Sequence, residues 1–364
     1  MDPLSTFCAN PDCPARGQFG KGNITIHSQE EQRYRCTVCG KTKVATFGTF
    51  FYRLHVDIQL VVWVVGLVAN GCPIQAIRAV FGFDPRTVRS WIKKAGLHCE
   101  GVHEHLVAKP ADHPQIQLDE LRVKRQGGIV WVGSAISVRS RLWLGASVSA
   151  IRDSALAFDL VGKVKRCCRK RPLLFTSDGW QPYVKAIRRH FREPERERKP
   201  GRPRLIPWSG VAIGQVVKRY AKRHVVAVER RRIQGSETRV KRLVAVSQRL
   251  GGVLNTAFIE RLNATFRSWL PCLVRRTRGL ARRTETILAG VYLIGSVYNF
   301  CTNHDALGSR TEGKTPAMAA GITDHRWSLA ELLSYRVPPP RWVPPKRRGR
   351  KSKALLALIE RWAM

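Results

Sequence analysis

Apolar positions recur along the chain first at helical and then at strand spacing. Ile58–Ala69 is almost wholly apolar, and Asp57–Gly71 reads as a short apolar helix. Ile74, Ile77 and Phe81, then Val88, Trp91 and Ile92, mark two amphipathic helices around the break Gly82-Phe83-Asp84. Asp84 stands at an N-cap, Pro85 at the first helical position and Gly96 at the C-terminal stop, which predicts the second helix over Pro85–Ala95. From Gln115 the period shortens to two. Ile116–Val123, Gly128–Ser137 and Leu142–Ala150 are predicted strands. Asp153–Arg169 reads as an amphipathic helix, Leu173–Asp178 as an apolar strand ending in a polar turn, and Gln181–Phe191 as a helix. A polar stretch, EPERERKPGRPR, then opens a long section before a strand at His224–Val228 and helices at Asn255–Leu270 and Thr284–Asn303. A proline-rich basic tail, Val337–Lys353, leads into a short apolar helix, Ala354–Trp362. Three antiparallel strands followed by helix, strand, helix predict a mixed α/β or α+β domain.

Composition adds one large fact. Lys and Arg number 64 against 26 Asp and Glu, a net charge of +38 on 364 residues. Such a field attracts polyanions, with nucleic acid the leading partner. A membrane partner is not expected: a span needs about 20 apolar residues, whereas Ile58–Ala69 has twelve and includes Gln59. The N-terminus carries no basic region followed by an apolar one, so no secretory signal is visible and a reducing cytoplasm is expected. The ten cysteines then read as metal ligands or buried thiols rather than disulfides.

Four of those cysteines are clustered. Cys8-x4-Cys13 and Cys36-x2-Cys39 can present four thiolates to one structural Zn²⁺, with Gly40 after the second pair to make the knuckle turn. Four buried thiols are the plain alternative. The helix pair around Gly82 reads as a helix-turn-helix, with Arg86, Thr87, Arg89 and Ser90 exposed where base edges are read, and Lys93 and Lys94 further along for phosphates. An ordinary helical hairpin is the alternative.

Because acids are scarce, an acid inside an apolar strand is informative. Asp119 lies in the first strand and Asp178 at the end of the fourth. Alternation puts Asp119 and Glu120 on opposite faces, so only one is expected to share a site with Asp178. On Asn255–Leu270, Phe258, Leu262, Phe266 and Trp269 form the expected core stripe, and Glu260, Asn263 and Arg267 a polar one. Three carboxylates from two strands and a helix can bind two Mg²⁺ (or Mn²⁺) about 4 Å apart, the machinery for in-line displacement at phosphate. Solvated or salt-bridged acids remain the alternative.

With these motifs in order, the chain resembles bacterial insertion-sequence transposases of the DDE class, most closely the insertion-sequence-one type. The resemblance rests on RYRCTVCGKT, on the helix-turn-helix following LVANGCPIQAI, on QLDE and SDGWQPY, and on FIERLNATFR with the downstream LVRRTRG. It implies an RNase H-like catalytic domain with Asp119, Asp178 and Glu260 as the catalytic, metal-binding triad. It also implies an N-terminal module that recognises the element's inverted repeats. Two features depart from the family pattern: the wide Cys8/Cys13 spacing, and a long Asp178-to-Glu260 interval with an insertion over about 192–252 and Glu229 as a competing acid.

The expected organisation is multidomain: a zinc ribbon over 1–50, a small all-α helix-turn-helix over 51–104, an α/β RNase H-like domain over 110–305 with the basic insertion, and a tail over 306–364. The expected function is DNA transposition, with double-stranded DNA (element ends and target) as partner and a homodimer or higher oligomer holding two ends, in a prokaryotic, nucleoid-associated setting. A catalytically silent DNA-binding regulator and a structure-specific nuclease are the alternatives. Two Gly-Arg segments, with Arg202 and Arg204 in the insertion and Arg348 and Arg350 in the tail, are further candidate DNA contacts, with a disordered basic linker the alternative and, for the tail, the favoured reading.

Overall fold

The computed structural model describes residues 1–195, 202–222, 224–248, 252–275, 279–308, 313–345 and 349–363. The chain forms two compact units, Met1–His55 with Leu333–Met364, and Val56–Leu332.

The first unit carries a three-stranded antiparallel sheet of β1 (Ile24–Ser28), β2 (Arg33–Cys36) and β3 (Thr42–Val44). So few residues cannot bury a large core. What they bury is Cys8, Cys13, Ala15, Ile24, Tyr34 and Cys36, and the C-terminal Trp362 packs into the same cluster at 3% exposure. Gln18 donates to the Trp362 carbonyl over 2.8 Å, and Arg336 donates to Ala45 O over 2.6 Å, so the chain's last segment folds back on its beginning.

The second unit opens with helices α1 (Ile58–Ala69), α2 (Ile74–Phe81) and α3 (Pro85–Leu106). Asp84 caps α3 through its carboxylate, as the sequence predicts, and Asp57, expected inside the first helix, caps α1 in the same way. Gly96, however, does not stop α3, which runs eleven residues beyond Ala95. The glycine lies where α3 crosses α8 (Thr284–Ser296), and a Cβ there would collide with the Ala289 carbonyl. Close helix packing outweighs the weak helix propensity of glycine.

The sheet follows: β4 (Gln115–Arg125), β5 (Gly128–Ser137) and β6 (Trp143–Ser149) form an antiparallel meander. After α4 (Ser154–Cys167), β7 (Leu173–Ser177) pairs in parallel with β4, and α5 (Gln181–His190) returns over the sheet. The hairpin of β8 (Arg192–Pro194) and β9 (Leu205–Pro207) precedes β10 (Val211–Ala221) and β11 (His224–Gln234). Strand order is β11-β10-β7-β4-β5-β6, with β10 parallel to β7 and β11 antiparallel at the edge. Thus the 192–252 interval supplies two strands of the main sheet as well as α6 (Glu237–Gln248). β10 and α6 have no counterpart in the pattern reading, because Val211–Ala221 is apolar only where the sheet covers it and α6 is mostly exposed.

α7 (Ala257–Trp269) packs with α8 on one face of the meander, around Trp143, Phe266, Tyr292 and Ile294. Ile259 rather than Phe258 supplies the core contact near the start of α7; Phe258 is only partly buried, beneath the Arg141 guanidinium at 3.8 Å. The register of α7 is set by a buried glutamine. Gln117 accepts from the Ile259 N–H over 2.9 Å and donates to Asn255 O over 2.7 Å, satisfying polar groups that burial would otherwise penalise. No described helix is long and apolar enough to cross a membrane. A mixed α/β sheet and an N-terminal four-cysteine cluster are compatible with a zinc ribbon joined to an RNase H-like domain.

Candidate active site and metal centres

In the first unit, the sulfurs of Cys8, Cys13, Cys36 and Cys39 all lie within 4.8 Å of one another. Cys8 Sγ and Cys39 Sγ are 3.6 Å apart, Cys13 Sγ and Cys36 Sγ 3.8 Å. Four thiolates each about 2.3 Å from a tetrahedral Zn²⁺ would stand about 3.8 Å from one another, so these two spacings match that ion. Two turns make the geometry. Cys13 N–H donates to Asn10 O over 3.2 Å, which accommodates the wide x4 spacing. Gly40 N–H donates to Cys36 O over 2.9 Å from a φ of +70°, a conformation that glycine adopts without strain. Burial, opposed by a backbone hydrogen bond, pushes the Cys13 thiol up to about 12, whereas the Lys41 N–H and neighbouring Asn10 outweigh burial at Cys39 and bring it to about 7.

In the second unit, the sequence-predicted Asp119 and Asp178 come together, with Glu120 as the third member. One oxygen of each lies within 4.8 Å of the others. This overturns the expectation that only one of Asp119 and Glu120 reaches Asp178. Asp119 does face α7 and Glu120 does face α5, on opposite sides of β4. But β7 pairs with β4 only as far as Gln117 and ends at Ser177, and from Leu118 to Lys124 no described strand pairs with β4 on that side. Asp178 lies on that side, and both side chains reach it from their own faces.

Each carboxylate has a distinct setting. Asp119 accepts from Asn263 Nδ2 over 2.8 Å, and burial, with the adjacent Glu120 and Asp178 charges, lifts it to about 7. Glu120 accepts from Tyr183 Oη over 2.9 Å and from Arg152 Nε over 2.6 Å; burial and the Asp178 charge raise it, against the pull of Arg152. Asp178 accepts from the Trp180 N–H over 3.0 Å, which holds the turn into α5, and its Oδ2 is 3.3 Å from Arg152 Nη2.

Glu260 stands apart from this trio. Its Oε1 takes Lys218 Nζ at 2.5 Å and Thr256 Oγ1 at 2.6 Å. It lies one turn before Asn263 on the same stripe of α7, and the third member of that stripe, Arg267, is near enough to Asp119 to feel its charge. Glu229, the competing acid on the edge strand β11, is bound by Arg231 of the same strand and Arg219 of β10. Asn263 is 2% exposed and its Oδ1 has no hydrogen-bond partner. The oxygens of Asp119, Glu120 and Asp178 are hard donors of the kind Mg²⁺ and Mn²⁺ take.

Among the expected DNA contacts, Arg86, Thr87, Arg89, Ser90 and Lys93 are exposed along the first turns of α3, while Lys94 is half-buried. Burial lowers the Lys94 ammonium below its ordinary value. Arg202 and Arg204 are exposed just ahead of β9, and Arg350 is exposed; Arg348 lies outside the described residues. Glu120, Arg152 and Tyr183 are the site residues that alternation missed; Glu120 was signalled only by being a second acid in an acid-poor strand. No protein-family model and no curated protein matches the chain.

Proposed function

We propose that the chain is a DDE-class DNA transposase that binds the ends of an insertion element, cleaves them and joins the 3′-OH to target DNA. The observation that carries the reading is the convergence of Asp119, Glu120 and Asp178 at the point where β7 ends beside β4. A net charge of +38, suited to a polyanionic substrate, supports it.

In this reading Asp119, Glu120 and Asp178 would hold divalent metal, and Glu260 of α7, paired with Lys218, would be a further ligand. Bound there, such ions supply activation of an attacking oxygen and stabilisation of the leaving one. The protein's own part is positioning. Tyr183 holds Glu120, Asn263 holds Asp119, and the Trp180 N–H holds Asp178, so the carboxylates need little reorganisation. The four-cysteine knuckle would bind one structural Zn²⁺, and Arg86, Thr87, Arg89 and Ser90 would read base edges while Lys93 meets phosphate. A homodimer or larger assembly would hold the two ends.

One observation favours the second reading, a catalytically silent DNA-binding regulator: Glu120 and Asp178 already share Arg152 as a counter-ion. A cleavage-and-joining assay on end-containing DNA with Mg²⁺ separates the two. Joined product supports the transposase; sequence-selective binding with no nicking supports the regulator; nicking without joining points to a nuclease.

A further inference from the structure

We propose that Arg152 is an internal counter-cation of the carboxylate cluster, one that leaves Glu120 and Asp178 when a divalent metal binds and then offers its guanidinium to a substrate phosphate. The inference rests on the metal-binding reading above, and it concerns a residue that neither motif spacing nor the resemblance assigns.

Arg152 lies between β6 and α4, with its backbone pinned on both sides. Ile151 N–H donates to Ser149 Oγ over 3.2 Å, and the next residue, Asp153, caps α4 by accepting from Leu156 N–H over 3.2 Å. The side chain is 34% exposed. Its Nε and Nη2 both meet Glu120 Oε1, and Nη2 also reaches Asp178 Oδ2 at 3.3 Å. The Glu120 side chain is 3% exposed, so the guanidinium is what compensates a nearly buried charge. Among the described residues no other cation is ion-paired to Glu120 or Asp178.

A divalent ion on the same oxygens would face that fixed positive charge a few ångströms away. Arginine cannot discharge itself by losing a proton, and like charges at such range repel strongly in a partly buried site. The guanidinium must therefore move, and it has somewhere to rest. Its carbon lies 4.6 Å from the Trp180 ring centroid and 5.4 Å from that of Trp131, so it can tilt away from the carboxylates while keeping an aromatic face. From there its planar fork of donors suits a phosphate, the anion a DNA substrate brings.

The test is Mn²⁺ binding to the full chain, followed by electron paramagnetic resonance of the free ion, for wild type, Arg152→Ala, Arg152→Gln and Asp178→Asn. Arg152→Ala is expected to tighten Mn²⁺ by about tenfold or more, since one competing charge is gone. Its joining activity should fall despite fuller metal loading. Arg152→Gln keeps a donor to Glu120 without the charge and should also tighten Mn²⁺, covering the case in which the alanine variant does not fold. Folded variants that bind Mn²⁺ no more tightly than wild type overturn the counter-cation role. Asp178→Asn reports separately on the metal reading: if it leaves Mn²⁺ binding unchanged, that reading fails and the proposal falls with it.

Discussion

Asn263 donates its side-chain amide to Asp119 Oδ2 over 2.8 Å, joining the buried face of α7 to the middle of β4. This bond ties the helix that carries Glu260 to the strand that carries the carboxylates, and it leaves Asn263 Oδ1 without a partner.

Asn263→Ala should therefore lower stability by about 1–3 kcal/mol, the usual cost of stranding a buried polar partner. It should also weaken Mn²⁺ binding, because Asp119 loses the side-chain donor that orients it. Urea unfolding and Mn²⁺ titration check the two parts. A stability loss with unchanged Mn²⁺ affinity would make Asn263 a structural link only.

Glu120→Gln and Glu260→Gln distinguish two assignments of the third acid. Glu120→Gln should weaken Mn²⁺ binding, since its carboxylate lies inside the cluster. Glu260→Gln should leave that first binding event largely intact yet reduce joining by at least about a hundredfold, the loss of several kcal/mol of transition-state stabilisation. Robust joining in Glu260→Gln would transfer the role to Glu120.

Zinc removal has a local optical signature. Trp362 packs at 3% exposure into the cluster that contains Cys8, Cys13 and Cys36. Stripping metal with a strong chelator, or substituting Cys36→Ser, should release that indole to water. The tryptophan emission should shift to the red, and the first 55 residues should become protease-sensitive together with the C-terminal helix Lys353–Trp362. One zinc per chain by elemental analysis is expected; none would remove the zinc assignment.

Acid should destabilise the second unit through His103. Burial among Trp143 and Tyr292 lowers its imidazole to about 3, while the unfolded chain titrates near 6.5. Its Nδ1 has no partner, so a proton there would be stranded. Below 6.5 the unfolded state therefore binds more protons than the native one. The stability is full above that pH and is lost as pH falls toward 3. His113, lowered to about 4 by burial, adds in the same direction. His103→Phe keeps a ring in the cluster and should flatten the stability-against-pH slope between pH 6 and 4 by up to about 1.4 kcal/mol per pH unit. Urea titrations across that window check it; an unaltered slope would place the acid sensitivity elsewhere.

What the sequence made legible follows physical lines. Asp84 announces α3 because capping is a local interaction, and the alternation of Ile116–Val123 announces β4 because one period covers it. The continuation of α3 past Gly96 was not legible, because it depends on α8, nearly two hundred residues away in the chain. Asp119 and Asp178 stood out as acids in apolar strands. Glu120 did not, because alternation fixes the face of a side chain and says nothing about where the neighbouring strand ends. Arg152 was invisible for a related reason: one arginine among so many basic residues acquires meaning only from Glu120, Asp178 and Trp180 around it.

The most direct test of the central claim is strand joining in Mg²⁺ between DNA carrying the element's ends and a target plasmid, wild type against Asp178→Asn. Joined product is expected from wild type, with a loss of at least about a hundredfold in Asp178→Asn while binding to the ends is retained. Joining that proceeds equally in Asp178→Asn, or wild-type protein that binds the ends and never cuts them, would contradict a carboxylate-held metal centre built on Asp119, Glu120 and Asp178.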